Sequence, residues 1–227
     1  MENTTSTTSH MELDDIQGLL VRGHGKMLGA AYLMLNIADA DKARGWLRHH
    51  LDHVTSAAEK PAQRRLHLAF TWLGLQALGI ESTGCEGFRP EFIQGMATEY
   101  RARILGDLAE SGMENWTWGG PNNEPLHLVL MVYTPDAETL EAELTALGKG
   151  FAAGGLVEVG RLDSELNALA REHFGFRDGV SQPILPGLKK KGPKENTVPV
   201  GEFILGYLNA YDELPDSPLV PKTADAE

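Results

Sequence analysis

Cysteine is nearly missing: Cys85 stands alone among 227 residues, which excludes an internal disulfide and any cysteine-rich metal cluster. A reducing compartment, and by default the cytoplasm, is the expectation. Long apolar runs are missing as well. Nowhere do about eighteen apolar residues follow one another, the length a membrane-spanning helix needs. The opening Thr/Ser tract, Met1 to His10, lacks the basic region and apolar run of a secretory signal. Basic residues are outnumbered, 20 Lys and Arg against 32 Asp and Glu, for a net charge of −12. That balance excludes a nucleic-acid groove or an anionic membrane surface as partner. No Gly-x-Ser-x-Gly elbow surrounds Ser181, no glycine loop has the strand and lysine that cradle a phosphate, and no solenoid repeat occurs. His49 and His53 share a helix face, as two metal ligands would, but no third ligand accompanies them, so no metal site is expected there.

Hydrophobic residues make up 42% of the chain, enough for a sizeable core. Gly29 to Ile37 reads as a strand buried on two faces. Asp39 and Asp41 open a helix to about Ser56, with Ala43, Trp46, Leu47, Leu51 and Val54 on one side. Leu66, Leu68 and Phe70 alternate with His67 and Ala69 in a second strand within Arg65 to Trp72. Leu73 to Leu78 turns helical, and Pro90 starts a helix through Tyr100 to about Leu108. Asn115 to Pro125 is a glycine-rich loop, flanked by Trp116 and Trp118, whose expected role is to cover a core edge. Leu126 to Tyr133 is the clearest strand, a helix follows Pro135-Asp136 to about Ala153, and Leu156 to Arg161 is the last strand. With the inserted helices removed, the order is βαββαβ, a ferredoxin-like α+β fold with an antiparallel sheet and helices on one face. Three regions are expected: a disordered tract over 1–12, the ferredoxin-like domain over 13–186, and an exposed connection and tail over 187–227. The Lys189-Lys190-Lys191 cluster falls in that connection as a solvated loop.

Gly175-Phe176-Arg177-Asp178-Gly179, continued by Val180-Ser181-Gln182-Pro183, describes backbone that bends twice and then runs extended. Asp178 sits inside the bend. On the residues alone two roles stay open: an Asx turn that only shapes the loop, and a carboxylate presented to a cavity to move protons. His173 lies close enough to suggest an acid/base pair, though a structural histidine is the stronger expectation. His24, between Gly23 and Gly25, reads as a loop residue, and His67 and His127 as packed strand histidines.

The run Glu172-His173-Phe174-Gly175-Phe176-Arg177-Asp178-Gly179-Val180-Ser181-Gln182-Pro183 resembles the motif of dye-decolourising peroxidases. Asp15-Ile16-Gln17-Gly18, Leu66 to Thr71 followed by Gly74 to Gly79, and Gly201 to Tyr207 resemble family segments in the same order. The resemblance implies a haem peroxidase of two ferredoxin-like domains with the Gly-x-x-Asp-Gly loop over the distal face of haem b. It implies Asp178 as distal acid/base, with Gly179, Val180, Ser181 and Gln182 lining the pocket beside it. Family members carry the axial histidine and the distal arginine in a second domain. Here the last histidine is His173 and no arginine follows Arg177, so those roles are expected from a complementary C-terminal half or subunit. Hydrogen peroxide and an aromatic reductant, a dye or phenol, are the implied substrates, and an oligomer the implied state. The competing expectation is a non-catalytic ferredoxin-like module that binds a partner or assembles. A third is a stand-alone haem protein ligated by one of its own histidines.

Overall fold

The computed structural model describes residues 11–25, 27–80, 87–165, 171, 174–176, 182–188 and 192–218. Four strands, β1 (Gly29–Ile37), β2 (Arg65–Phe70), β3 (Leu128–Thr134) and β4 (Leu156–Glu165), form one sheet in the order β2-β3-β1-β4. Every neighbouring pair is antiparallel, and a register shift between Met34 and Leu35 marks a bulge where β1 meets β4. Two long helices, α1 (Ala40–His50) and α5 (Ala137–Phe151), follow β1 and β3. Between β2 and β3 lie the short helices α2 (Trp72–Ala77), α3 (Pro90–Gln94) and α4 (Glu99–Leu105). This is the ferredoxin-like α+β arrangement with a helical insertion.

Side-chain alternation decides what faces what. Ala31, Leu33, Leu35 and Ile37 of β1 join Leu66 of β2 and Leu128, Leu130 and Val132 of β3 in the main core. Leu140, Leu144, Leu147 and Phe151, spaced for one face of α5, close that core from above, together with Ala43 and Trp46 of α1. Burying each such side chain is worth roughly 1.5–3 kcal/mol before the entropy of ordering it. Both long helices are capped by an aspartate: Asp39 accepts from the Lys42 amide and Asp136 from the Thr139 amide.

Three boundaries differ from the sequence reading. The α1 helix stops at His50 and tightens into a 3-10 turn over Leu51–His53, so Val54 leaves as extended chain instead of lying on the helix face. The single helix expected from Pro90 is two: Gly95 takes φ 65° and ψ −162°, which no helix accommodates, and Thr98 caps a fresh start by accepting from the Arg101 amide. β4 runs on to Glu165 because β1 offers it partners as far as Gly29.

A second, smaller core lies apart from the sheet, where Met11, Ile16 and Ala57 meet Ile204, with Tyr207 and Leu188 against them. The stretch following 187 is therefore not uniformly exposed. Ile184 pairs with Thr197 in a parallel bridge, the Tyr207 hydroxyl accepts from the Glu12 amide, and Arg89 meets Asp216 at 3.3 Å. The Asp15-Ile16-Gln17-Gly18 segment has a plain structural task. The Gln17 side chain donates to Leu68 O at 2.9 Å and accepts from Leu68 N at 3.0 Å, so an amide stands in for a strand along the edge of β2.

Candidate functional site

Asp178, Gly179, Val180 and Ser181 lie outside the described residues, as do Arg177 and His173. What the structure gives is their approach and exit. Gly175 holds φ 85°, a left-handed conformation that suits glycine, and its carbonyl accepts from Arg171 Nη1 at 2.8 Å. Phe174 and Phe176 on either side are 90% and 75% exposed, so neither contributes to a core of this chain.

On the exit side Gln182 and Pro183 line a cleft of about 900 Å³. Its wall is largely apolar, with Leu13, Leu20, Leu185 and Phe203, and carries two cations, Arg22 and Lys60. Arg22 is anchored, because its guanidinium donates to the Glu59 and Ala57 carbonyls. The cleft therefore joins the N-terminal segment to the residues that leave the Gly-x-x-Asp-Gly turn. Gln182 is the one expected site residue that the structure describes, and it is exposed on this wall.

The open face of the sheet holds a polar group that sequence reasoning missed. His24 lies in a loop, as expected, but is buried there, and its Nε2 is 3.0 Å from Nε2 of the fully buried His67. Arg65 Nη1 lies 2.8 Å from His24 Nδ1. Arg65 has no lone pair to offer, so it must donate and His24 Nδ1 must accept. His24 then carries its proton on Nε2 and donates to His67 Nε2, which leaves the His67 proton on Nδ1. That nitrogen has no partner among the described residues. Desolvation by burial lowers both histidines to a pKa of about 4, helped by the positive charge of Arg65. Tyr133 packs against both rings and shares a hydrogen bond with Tyr32 at 3.1 Å; burial pushes its hydroxyl well above the usual range. His67 does behave as a packed strand histidine, as expected. The only sequence hint of this pair was His67 itself, a polar residue on the face of β2 opposite Leu66 and Leu68.

The remaining described histidines are not brought together as a ligand set. His49, His50 and His53 cluster edge to face, while His50 stacks on Trp46 and its Nδ1 bonds the Trp46 carbonyl at 2.8 Å. His127 falls just before β3 and uses Nδ1 to accept from the Ile37 amide at 2.8 Å. Among the described residues no group of three or more His, Cys, Asp or Glu is placed to hold a metal ion. Nor is any described helix long and apolar enough to cross a membrane.

No family model matches the chain. Among curated proteins it is 27% identical over 219 residues to the dye-decolorizing peroxidase msp1 of Mycetinis scorodonius, covering 91% of this chain and 40% of that protein. It is likewise 27% identical over 211 residues to a dye-decolorizing peroxidase of Exidia glandulosa, with 88% and 40% covered. Among solved structures it superposes with a TM-score of 0.71 and 25% identity on a dye-decolorizing peroxidase in complex with 2,6-dimethoxyphenol, over 90% of this chain and 47% of that one. A peroxidase of Auricularia auricula-judae gives a TM-score of 0.73 at 23% identity, a likeness of fold, over 90% and 45% of the two chains. The chain thus spans less than half the length of the proteins it matches. The resemblance first carried by the Gly-Phe-Arg-Asp-Gly segment extends in sequence and fold along most of the chain, and the family it points to is that of the dye-decolorizing peroxidases.

Proposed function

We propose that this chain forms the distal half of a haem peroxidase, with Asp178 as its proton carrier and a complementary half or subunit supplying the iron ligand. The observation that carries the reading is the likeness to dye-decolorizing peroxidases over nine-tenths of the chain combined with coverage of only 40% of the relative. The chemistry of the donor set fits the distal role and no more. An apolar wall with Lys60 and the anchored Arg22 suits a flat dicarboxylate macrocycle, but no described histidine lines that cleft. Haem, when bound, would supply the electrons that cleave peroxide.

The chain's own part is proton handling and enclosure. Asp178 would take the proton from the peroxide oxygen that becomes bound and return it to the oxygen that leaves as water. Gly179, Val180 and Ser181 would wall the pocket beside it, with Gln182 at its exit. Exposed Phe174 and Phe176, and the half-exposed Val157 and Leu162 on the open face of β4, are apolar surfaces suited to cover by the complementary half. The reducing substrate would be a dye or phenol. Cytoplasmic residence, argued from the lone cysteine, and self-association belong to the same proposal.

The test mixes the chain with a candidate second half in the presence of haem. A Soret band and peroxide-driven dye oxidation should appear together. Asp178→Ala should then keep the band and lose about 10²–10⁴-fold in oxidation rate. Undiminished oxidation in that variant would remove Asp178 from the mechanism.

A second reading, a non-catalytic partner-binding module, is favoured by the engagement of His24, His50, His67 and His127 in internal contacts. An absent haem band, with or without the complementary half, decides for it.

A further inference from the structure

The helical insertion builds a second cleft of about 1040 Å³ between α2, α3 and the loop at 115–126. Five aromatic rings line it: Phe70, Trp72, Phe92, Trp116 and Trp118. Trp72 is buried and fixed edge-on against Phe92 at 6.5 Å, and Phe92 is itself stacked on Phe88 at 5.4 Å, whereas Trp118 is 47% exposed and is the ring most open to an incoming group. The loop is held in place by its own polar groups. Trp116 Nε1 donates to Ser111 O at 3.1 Å, Asn122 donates to Glu114 O, and Asn123 accepts from the Gly120 amide at 2.8 Å. A Cβ on Gly120 would come within 2.2 Å of Met113 O, so the turn is closed tightly. With its hydrogen bonds turned inward, the loop presents rings to the cleft from a preformed frame.

The charge of the cleft is one-sided. Glu91, Asp107 and Glu124 line it, and none of the three forms an ion pair with another described residue. Among the described residues no lysine, arginine or histidine lines it; Arg101 stands outside the lining and donates to Gln94 Oε1 at 3.3 Å. Aromatic faces carry the negative end of the ring quadrupole, so rings and carboxylates favour the same charge. We infer that this cleft binds a planar aromatic cation, stacked on Trp118 and held by the carboxylates of Glu91 and Glu124. Covering a core edge, the role expected for Trp116 and Trp118, does not account for the exposure of Trp118. The inference needs no haem and stands apart from the peroxidase reading.

The test titrates the full chain with proflavine, a flat three-ring cation, following its fluorescence anisotropy. The comparison ligand is 9-anthracenecarboxylate, of similar shape and opposite charge. Proflavine should saturate at one site, weaken as salt is raised, and bind at least about tenfold more tightly than the anion. Trp118→Ala, at an exposed position, should weaken it about tenfold with the circular dichroism spectrum unchanged. Glu91→Gln with Glu124→Gln should flatten the salt dependence while leaving the anion's affinity as it was. Equal affinity for cation and anion, or binding indifferent to Trp118→Ala, overturns the inference. So does sedimentation showing a dimer that Trp118→Ala dissociates, since a second copy would then own the cleft.

Discussion

Because Arg65 can only donate, its hydrogen bond fixes the proton positions of two histidines in turn, and the cost of that arrangement falls on acidification. A proton added to His24 Nδ1 would face the Arg65 guanidinium, and one added to His67 Nε2 would face the His24 proton. Both groups are therefore held neutral, with pKa values of about 4 in the folded chain against 6.5 for an ordinary histidine. The unfolded chain binds up to two more protons than the folded one between these values, so stability is full above pH 6.5 and is lost as pH falls toward 4. The steepest slope two such protons allow is about 2.7 kcal/mol per pH unit, and mutual repulsion within the pair keeps the observed slope below that limit. Denaturant melts at intervals from pH 7.5 to 4 read this slope directly. His67→Leu should flatten the slope by about one proton, and a wild-type profile already flat across the interval would refute the relay. His24 escaped a reading along the chain because the partner that buries it stands 43 positions away, and the glycines beside it suggest exposure.

At the level of elements, alternation and capping made the strands and both long helices legible, because Leu66-His67-Leu68-Ala69-Phe70 and Asp136 with its following helix signal locally what they do. The break at Gly95 was less legible, since glycine is tolerated within helices and only its left-handed φ stops one there. The candidate site was legible as a motif and no further: Gln182 meets Leu13 and Phe203 through folding, and no spacing in the chain announces that wall. Gly74 shows how an element's packing reverses a local rule. Replacing a helical glycine by alanine ordinarily stabilises by roughly 0.5–1 kcal/mol. A Cβ at Gly74 would stand 1.9 Å from the His127 carbonyl, where α2 lies against the entry to β3 and Thr71 ties the two by donating to Leu126 O at 2.7 Å. Gly74→Ala should therefore destabilise by about 1–3 kcal/mol, as overpacking does. Gly148→Ala, at an exposed position of α5 with open space around it, should stabilise by about 0.5–1 kcal/mol. Thermal unfolding of the two variants side by side separates close approach from propensity; shifts of the same sign would show that α2 and β3 can part freely.

Among the described residues the sheet carries one large core on its helix side and a smaller cluster of Met27, Ala30, Met131 and Tyr133 on its other face, and a separate small core lies where the N-terminal segment meets residues near 204. The small core is tied to the sheet through few bonds, chiefly Gln17 to Leu68 and Gly18 N to Thr55 O, with Thr55 in turn paired to Leu66 of β2. A small cluster with that attachment should open without the sheet unfolding, because local stability follows buried apolar area and the sheet keeps its own. The same cluster positions Leu13, Leu188 and the neighbouring Phe203 on the wall that Gln182 shares, so its opening would dismantle the candidate distal cleft first. Ile204→Ala tests this arrangement. Removing that side chain from a packed cluster should cost about 2 kcal/mol, the low end for such truncations because the site is small and near the surface. Hydrogen exchange should accelerate at Gly18 and Ala57, whose amides pair the N-terminal segment with the chain at 55–57, while β1 and β3 amides paired through Leu33 and Leu130 keep their protection. Uniform acceleration across both sets would mean that the two cores unfold as one unit, and the cleft would then be as stable as the sheet beneath it.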